Sequence, residues 1–275
     1  MSGGQSRALT FLYGTAPGRV LLKLMIRPWF SRLGGWLLDT RLSALGVKPF
    51  IRAHGIDMRP CEKSRFSSFN DFFVRRLAPE ARPVAYDPAA LVSPCDGKLT
   101  VWPIAPDGRF PVKGTEYTLA GLLKNDDLAR VYEGGLLWLF RLSPEDYHRY
   151  IYPLDGTRGD TVTIPGLYHT VKPLERGQQP VYHENTREYC VLQNDVFGPV
   201  VMMEVGAMLV GRIENRPWEN PVRRGMEKGN FAFGGSTILL ITPPDRAAPV
   251  PDIAAASAQG RETPVLQGQQ VGTRI

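Results

Sequence analysis

From about residue 91 onward the sequence is a succession of short β-branched or aromatic runs bounded by Gly, Pro, Asn or Asp. They are "GKLTVWPI", "GRFPVKG", "GLLWLFRL", "GDTVTIPG", "REYCVLQ" and "GPVVMMEVGAMLVGRIE". No other feature restricts the fold as much. Runs of this length and composition read as strands, and the turn residues between them favour neighbours in sequence pairing antiparallel. Asn194-Asp195 is read as one hairpin turn. "EYTLAGLLKNDDLARVY" interrupts the series as a short helical insertion, and "TPVLQ" offers a last strand. With 275 residues, 43% of them hydrophobic, the chain can bury a real core. The expected class is α+β: a helical front followed by a mostly antiparallel β domain, sandwich or barrel-like.

The front differs in kind. Arg19, Lys23 and Arg27 fall at i, i+4, i+8 and share a helical face, with Leu21, Leu22, Met25, Ile26 and Trp29 over much of the rest. No Asp or Glu occurs before Asp39, and "SRLGGWLLDTRLSAL" repeats the mixture of basic residues, Leu and Trp. A helix pair lying in a bilayer interface accounts for this pattern, and a helix packed on its own domain is the alternative. The run "VLLKLMIRPWF" is broken by Lys23, Arg27 and Pro28, so no spanning segment or signal peptide is expected. A formal charge of +6 favours anionic partners. Nucleic acid is the weakest of these, because the cations concentrate in an apolar Trp/Leu-rich helix. Cys61, Cys95 and Cys190 form no CxxC, so neither a disulfide framework nor a zinc site is expected. Farther on, Ser68 with Asp71 three residues later reads as a helix start. Phe69, Phe72 and Phe73 form its apolar face, and Pro79 and Pro83 are expected to stop it.

For chemistry, the sequence has no Walker A loop, HExxH, GxSxG elbow or strand-borne GxGxxG. Its four histidines are His54, His148, His169 and His183. "RLSPEDYHRYIYPLDG" gathers Glu145, Asp146, His148, Arg149 and Tyr150 after an apolar strand. It reads as an acid–base site or as a solvated turn. If the segment were extended, Asp146 and His148 would point the same way. Asp96, in "VSPCDGKL", stands in a tight turn. In "GNFAFGGSTILLITPP", Gly234 and Gly235 leave the backbone accessible, and Ser236 Oγ could reach the Gly235 carbonyl for an acyl shift from nitrogen to oxygen. Standing alone, that stretch reads as a glycine-rich turn before a buried strand.

Six pieces taken in order resemble the phosphatidylserine decarboxylase family: "FNDFFVRRLAPEARPV", "SPCDGKL", "DYHRYIYPLDG", "NTREY", "VGAMLVGRI" and "EKGNFAFGGST". The resemblance implies a precursor in which Ser236 attacks Gly235. Residues 1–235 then form a β chain that stays associated with an α chain, 236–275. Residue 236 ends as a pyruvoyl group (a covalently bound pyruvate), a cofactor made from Ser236 itself, which takes the substrate amine as a Schiff base. Asp96 matches the family's orienting aspartate, and no metal is implied. The expected domains are a membrane-contact region, 1–65, and a catalytic domain, 66–275. The expected substrate is phosphatidylserine in an anionic membrane, and the expected location is peripheral, on the cytoplasmic side of the cell membrane. A homo-oligomer is left open. The alternatives are a relative that binds anionic lipid without maturing, and a pyruvoyl decarboxylase of another serine-headed lipid or a soluble amino acid. One position departs from the family: many members carry a second histidine three residues after the one matching His148, where this chain has Ile151. The base for self-cleavage is therefore His148 or His169, with His148 also expected to protonate the product. Arg187 could position an anion or make a structural ion pair. Glu204 could lie buried near the site or face solvent.

Overall fold

The computed structural model describes residues 15, 28–112, 115–166, 185–206, 212–232 and 236–275. The front comprises α1 (Pro28–Asp39), a 3-10 turn at Arg41–Gly46, α2 (Val47–His54) and α3 (Phe69–Phe73). Ser68 caps α3, its hydroxyl accepting the Asp71 N–H at 3.0 Å, an interaction worth about 1 kcal/mol. The Asp71 carboxylate reaches back to the Ser67 N–H at 2.9 Å. Phe69, Phe72 and Phe73 are buried, but they pack against Leu38, Phe50 and Ile51 of α1 and α2. The helix stops at Phe73, well before Pro79, which instead opens a 3-10 turn. Tertiary pairing overrides the local signal here. Glu62 N donates to Arg76 O, Ala78 N donates to Pro60 O, and both bonds require residues 75–78 to run extended.

The strands that follow are β1 (Ala90–Val92), β2 (Gly97–Pro103), β3 (Arg109–Val112) and β4 (Thr115–Thr118). The helical insertion is realised as two single turns, α4 (Leu119–Leu123) and α5 (Asp126–Arg130), after β4 has taken its first residues. Each has its own side-chain cap, from Thr118 and Asn125. Next come β5 (Leu136–Leu142), β6 (Arg149–Ile151), β7 (Thr157–Arg158), β8 (Val162–Ile164), β9 (Arg187–Asn194) and β10 (Gly198–Val205). The chain closes with β11 (Ile213–Asn215), β12 (Glu227–Phe231), β13 (Ser236–Thr242), β14 (Ala247–Pro249), α6 (Pro251–Ala258), β15 (Thr263–Val265) and β16 (Gln270–Arg274).

Eight strands make the main sheet, in the order β15-β2-β5-β13-β10-β9-β7, with β8 also paired to β9. Its pairings are antiparallel. The β9–β10 hairpin turns at Asn194, whose side chain accepts the N–H groups of Val196 and Phe197. Both faces of the sheet are covered, which is why "LLWLFRL" and "STILLIT" are almost continuously apolar rather than alternating. On one face Leu137, Leu139, Met203, Leu239 and Ile241 meet the β3–β4 hairpin and α4. On the other, Phe140, Leu142, Met202, Ile238 and Leu240 meet Tyr150 of β6, Phe231 of β12 and Val271 of β16. Those covering strands belong to two three-stranded sheets, β11-β12-β6 and β1-β16-β14. The architecture is α+β and sandwich-like, and the main sheet does not close into a barrel.

Candidate active site

Three distant motifs meet at one end of the main sheet, and the register explains why. Ser236, the first residue of β13, pairs with Leu142, the last of β5. On the other side of β5, Arg141 pairs with Lys98 of β2, so Asp96 immediately precedes that strand at the same end. The turn 143–148 leaves from the end of β5 between them. Gly97 is required at this crossing, because a Cβ there would lie 2.8 Å from the Arg141 carbonyl oxygen.

Ser236 is fully buried, and among the described residues its Oγ has no hydrogen-bond partner. A buried hydroxyl in that state is costly, on the order of 1–3 kcal/mol. Such a cost is tolerated where the group has chemistry to perform. Its side chain faces the same side of the sheet as Leu142 opposite it and Ile238 two residues on, the side covered by β6 and β12.

His148 is also fully buried. The segment before it is not extended: residues 143–146 form a tight turn. Asp146 N donates to Ser143 O, and the Asp146 carboxylate accepts the Ser143 N–H at 2.6 Å. It is the backbone carbonyl of Asp146 that meets His148 Nδ1, at 2.9 Å. A carbonyl only accepts, so Nδ1 donates in this bond and Nε2 is the ring nitrogen turned away from it. The Phe73 ring lies against the imidazole with centroids 3.9 Å apart. Arg75 donates to the carbonyls of Glu145 and Asp146. Thus α3, part of the front block, holds the histidine turn. Burial is the main cause that pushes the Asp146 carboxyl up to about 6, with Glu145 and Asp96 adding to it.

Asp96 is buried and gripped by Arg82, with Nε to Oδ1 at 2.7 Å and Nη2 to Oδ2 at 2.5 Å. It also accepts the Gln267 N–H at 2.9 Å. Tyr147, Arg149 and Ile151 turn toward a cavity of about 360 Å³ that Arg82 and Gln267 also line. Tyr150, between them, packs into the core against the sheet. Residue 151 therefore sits on the side of Asp96's partners, away from Tyr150.

A second polar group lies in the apolar layer between the sheets. Lys228 of β12 donates to Glu204 Oε2 at 2.7 Å and to Asn215 Oδ1 at 2.8 Å. Asn215 Nδ2 donates in turn to Glu188 at 2.9 Å, and Tyr150 Oη lies 3.3 Å from Asn215 Oδ1. Both members of the ion pair are essentially inaccessible. Burial pushes the Glu204 carboxyl above its ordinary range, with Lys228 drawing it back part of the way. Lys228 had no distinctive signal in the sequence. The one clue was Glu204 itself, an acid inside an apolar strand that needs a counter-ion.

Among the described residues, Arg187 binds backbone rather than the ion-pair partner expected of a structural role. It donates to the backbone carbonyls of Leu122, Gly121 and Asn185, closing the end of α4 on the face of the sheet opposite Ser236. Burial pulls its guanidinium down to about 10. Gly235, His169 and His183 lie outside the described residues. Among the described residues no cluster of three or more His, Cys, Asp or Glu side chains could hold a metal ion. Among them, too, no helix is long and apolar enough to cross a membrane. Leu33, Trp36, Leu37, Leu42 and Leu45 of α1 and the turn after it are exposed, Trp36 by 64% and Leu42 by 79%.

A sequence model of the family described as phosphatidylserine decarboxylase matches residues 69–273, which takes in the strand starts, the histidine turn and the buried ion pair. The chain belongs to the phosphatidylserine decarboxylase family. Relatives match over nearly the whole chain. Phosphatidylserine decarboxylase proenzyme 2 of Clostridium acetobutylicum is 40% identical over 96% of this chain and 91% of its own length. The phosphatidylserine decarboxylase proenzyme of Clostridium novyi is 40% identical, covering 97% and 92%. That of Ruminiclostridium cellulolyticum is 39% identical, covering 100% and 93%. Asp96, His148 and Ser236 all lie within the matched residues, and the sheet register brings their segments to one end of the main sheet.

Proposed function

We propose that this chain is a precursor that cuts itself between Gly235 and Ser236 and then converts phosphatidylserine to phosphatidylethanolamine and CO2. The observation that carries the proposal is the buried Ser236 hydroxyl, without a partner among the described residues, at the strand end that Asp96 and the His148 turn also border. Decarboxylation of an α-amino acid needs an electron acceptor that no ordinary side chain supplies. The site fits a pyruvoyl group at residue 236, since a serine there is sequestered from water in an apolar layer beside titratable groups. When formed, that group supplies the carbonyl that takes up the substrate amine and accepts the electron pair left by CO2.

The chain's own residues supply the rest. β13 is paired along its length with β5 and β10, so residue 236 keeps its place after the backbone is cut. Its partners Leu142 and Ile238 exclude water. His148, held at Nδ1 by the Asp146 carbonyl, can carry a proton on Nε2 to the product carbon. Asp96, fixed by Arg82 and the Gln267 N–H, is tied to the residue after His148 through Gln267, whose Nε2 donates to the Arg149 carbonyl. The exposed apolar side chains of α1 and the following turn, with Arg41, Lys48 and Arg52 close by in sequence, suit contact with an anionic bilayer. This supports a peripheral location on the cytoplasmic face of the membrane.

The test is catalysis itself. Purified protein given vesicles containing phosphatidylserine is expected to form phosphatidylethanolamine with release of CO2, and Ser236→Ala protein none. Equal conversion by Ser236→Ala protein, or none by wild type that has matured, would overturn the proposal.

A further inference from the structure

Glu204 and Lys228 have no part in the chemistry described so far, yet they are the most deeply buried ion pair among the described residues. A buried ion pair is a poor device for stability. Apolar residues of similar volume do as well or better there, because taking two charges out of water offsets most of their attraction. Glu204 stands directly opposite Ile238 across the β10–β13 ladder. Ser236 is two residues from Ile238 on the same strand and faces the same side. That makes Ser236 and Glu204 diagonal neighbours, separated by about 7–8 Å at the backbone and within reach of a glutamate side chain. One further fact joins them. Among the described residues, Glu204 Oε1 and Ser236 Oγ are both sealed from solvent and both lack a hydrogen-bond partner. One is an acceptor and the other a donor, in the same apolar layer.

We propose that Glu204 is the base that takes the Ser236 hydroxyl proton during self-cleavage, with Lys228 as the counter-ion that keeps it ionised. The step balances within the chain. As Oγ bonds to the Gly235 carbonyl carbon, its proton passes to Glu204 Oε1. The carbon–nitrogen bond to Ser236 then breaks, and the same proton goes to that nitrogen, which becomes the free amine of residue 236 while its Oγ holds the Gly235 acyl group as an ester. Loss of the residue 236 Cα proton with breaking of the Cβ–Oγ bond then releases Gly235 as its carboxylic acid and cuts the chain. No proton is gained or lost overall, and no co-reactant is needed. Lys228 stays charged, tied to Glu204 Oε2 and to Asn215. The groups facing the carboxylate are Lys228 and Asn215, then Glu188 and the Tyr150 hydroxyl behind Asn215, with the Cys190 thiol and the Tyr152 hydroxyl also in electrostatic reach. Lys228 is thus the one cation among them. This assignment gives a base to a chain with isoleucine at position 151. It leaves His148 for the decarboxylation step, and it rests on the reading that the chain processes itself.

The experiment follows cutting of freshly synthesised full-length protein by intact mass over time, at a series of pH values. It compares wild type with Glu204→Asp, Glu204→Leu/Lys228→Met and His148→Ala. The double variant replaces the pair with apolar groups and is expected to melt cooperatively while cutting on the order of 10²-fold more slowly. Glu204→Asp should recover part of the rate. Wild type and His148→Ala should both cut faster as pH rises through a shared midpoint above the ordinary glutamate range. A folded double variant that cuts at the wild-type rate would overturn the proposal. If the double variant does not fold, the pH series decides. Loss of cutting in His148→Ala, or of its pH dependence, then overturns the proposal, and retention of both supports it. A wild-type chain that never cuts is a different result, because it removes the self-processing reading itself.

Discussion

Removing the Lys228 ammonium while keeping its bulk isolates the energetics of the buried pair. Lys228→Met is best made together with Ser236→Ala, so that a single uncut chain unfolds in every sample. Lys228 is 1% exposed and Glu204 fully buried, and the bond to Oε2 is the shortest contact either makes. Without the ammonium, Glu204 must stay ionised in an apolar layer or take up a proton. Breaking a buried pair in this way costs about 3–5 kcal/mol, which for a domain of this size lowers Tm by roughly 6–15 °C. The loss depends on pH with a definite sign. With no cation beside it, the folded-state pKa of Glu204 rises further above the unfolded value. Stability is then fullest below the unfolded pKa, declines as pH rises through the folded pKa, and levels off beyond it. Calorimetry between pH 4 and 8 should therefore show the single variant approaching the parent at low pH and falling away at high pH. Adding Glu204→Leu should restore Tm and abolish the pH-dependent gap. A Lys228→Met protein that matches its parent at pH 8 would refute the reasoning, since it would mean that water or another cation reaches Glu204.

Three further outcomes are expected. Asp146→Asn should flatten the pH dependence of the uncut protein: burial has raised the Asp146 carboxyl to about 6, so wild-type stability declines between pH 4 and 6, by on the order of 2 kcal/mol, as that group ionises. Chemical denaturation across that range measures it. Arg82→Met leaves Asp96 buried without its guanidinium and should destabilise by about 3 kcal/mol in urea, Arg82 being partly exposed. Trp36→Asp with Leu42→Asp should sharply reduce flotation with anionic vesicles while leaving the Tm of the β domain unchanged, because both side chains are exposed.

The strands were legible because their runs are short, β-branched and punctuated by turn residues. Burial of the main sheet on both faces could be read from "STILLIT" alone. Ser236 and the His148 turn stood out for a related reason: small or polar residues at the edge of such runs are expensive unless used. The parts that escaped depend on partners distant in sequence. Arg82 is 14 residues from Asp96 and sits in a stretch that reads as a helix end. Lys228, in "EKGN", looks like a solvated strand residue until β12 is seen lying over Glu204. The early end of α3 has the same origin, a pairing with residues 60–62 that no local pattern announces. The imidazole of His148 is oriented by a backbone carbonyl, which leaves no trace in residue type.

Self-cleavage is the central claim, and intact-mass analysis of the purified wild-type protein tests it most directly. The account predicts two chains, residues 1–235 and 236–275, the shorter blocked at its N-terminus by a pyruvoyl group. A single uncut chain of 30.6 kDa would contradict it.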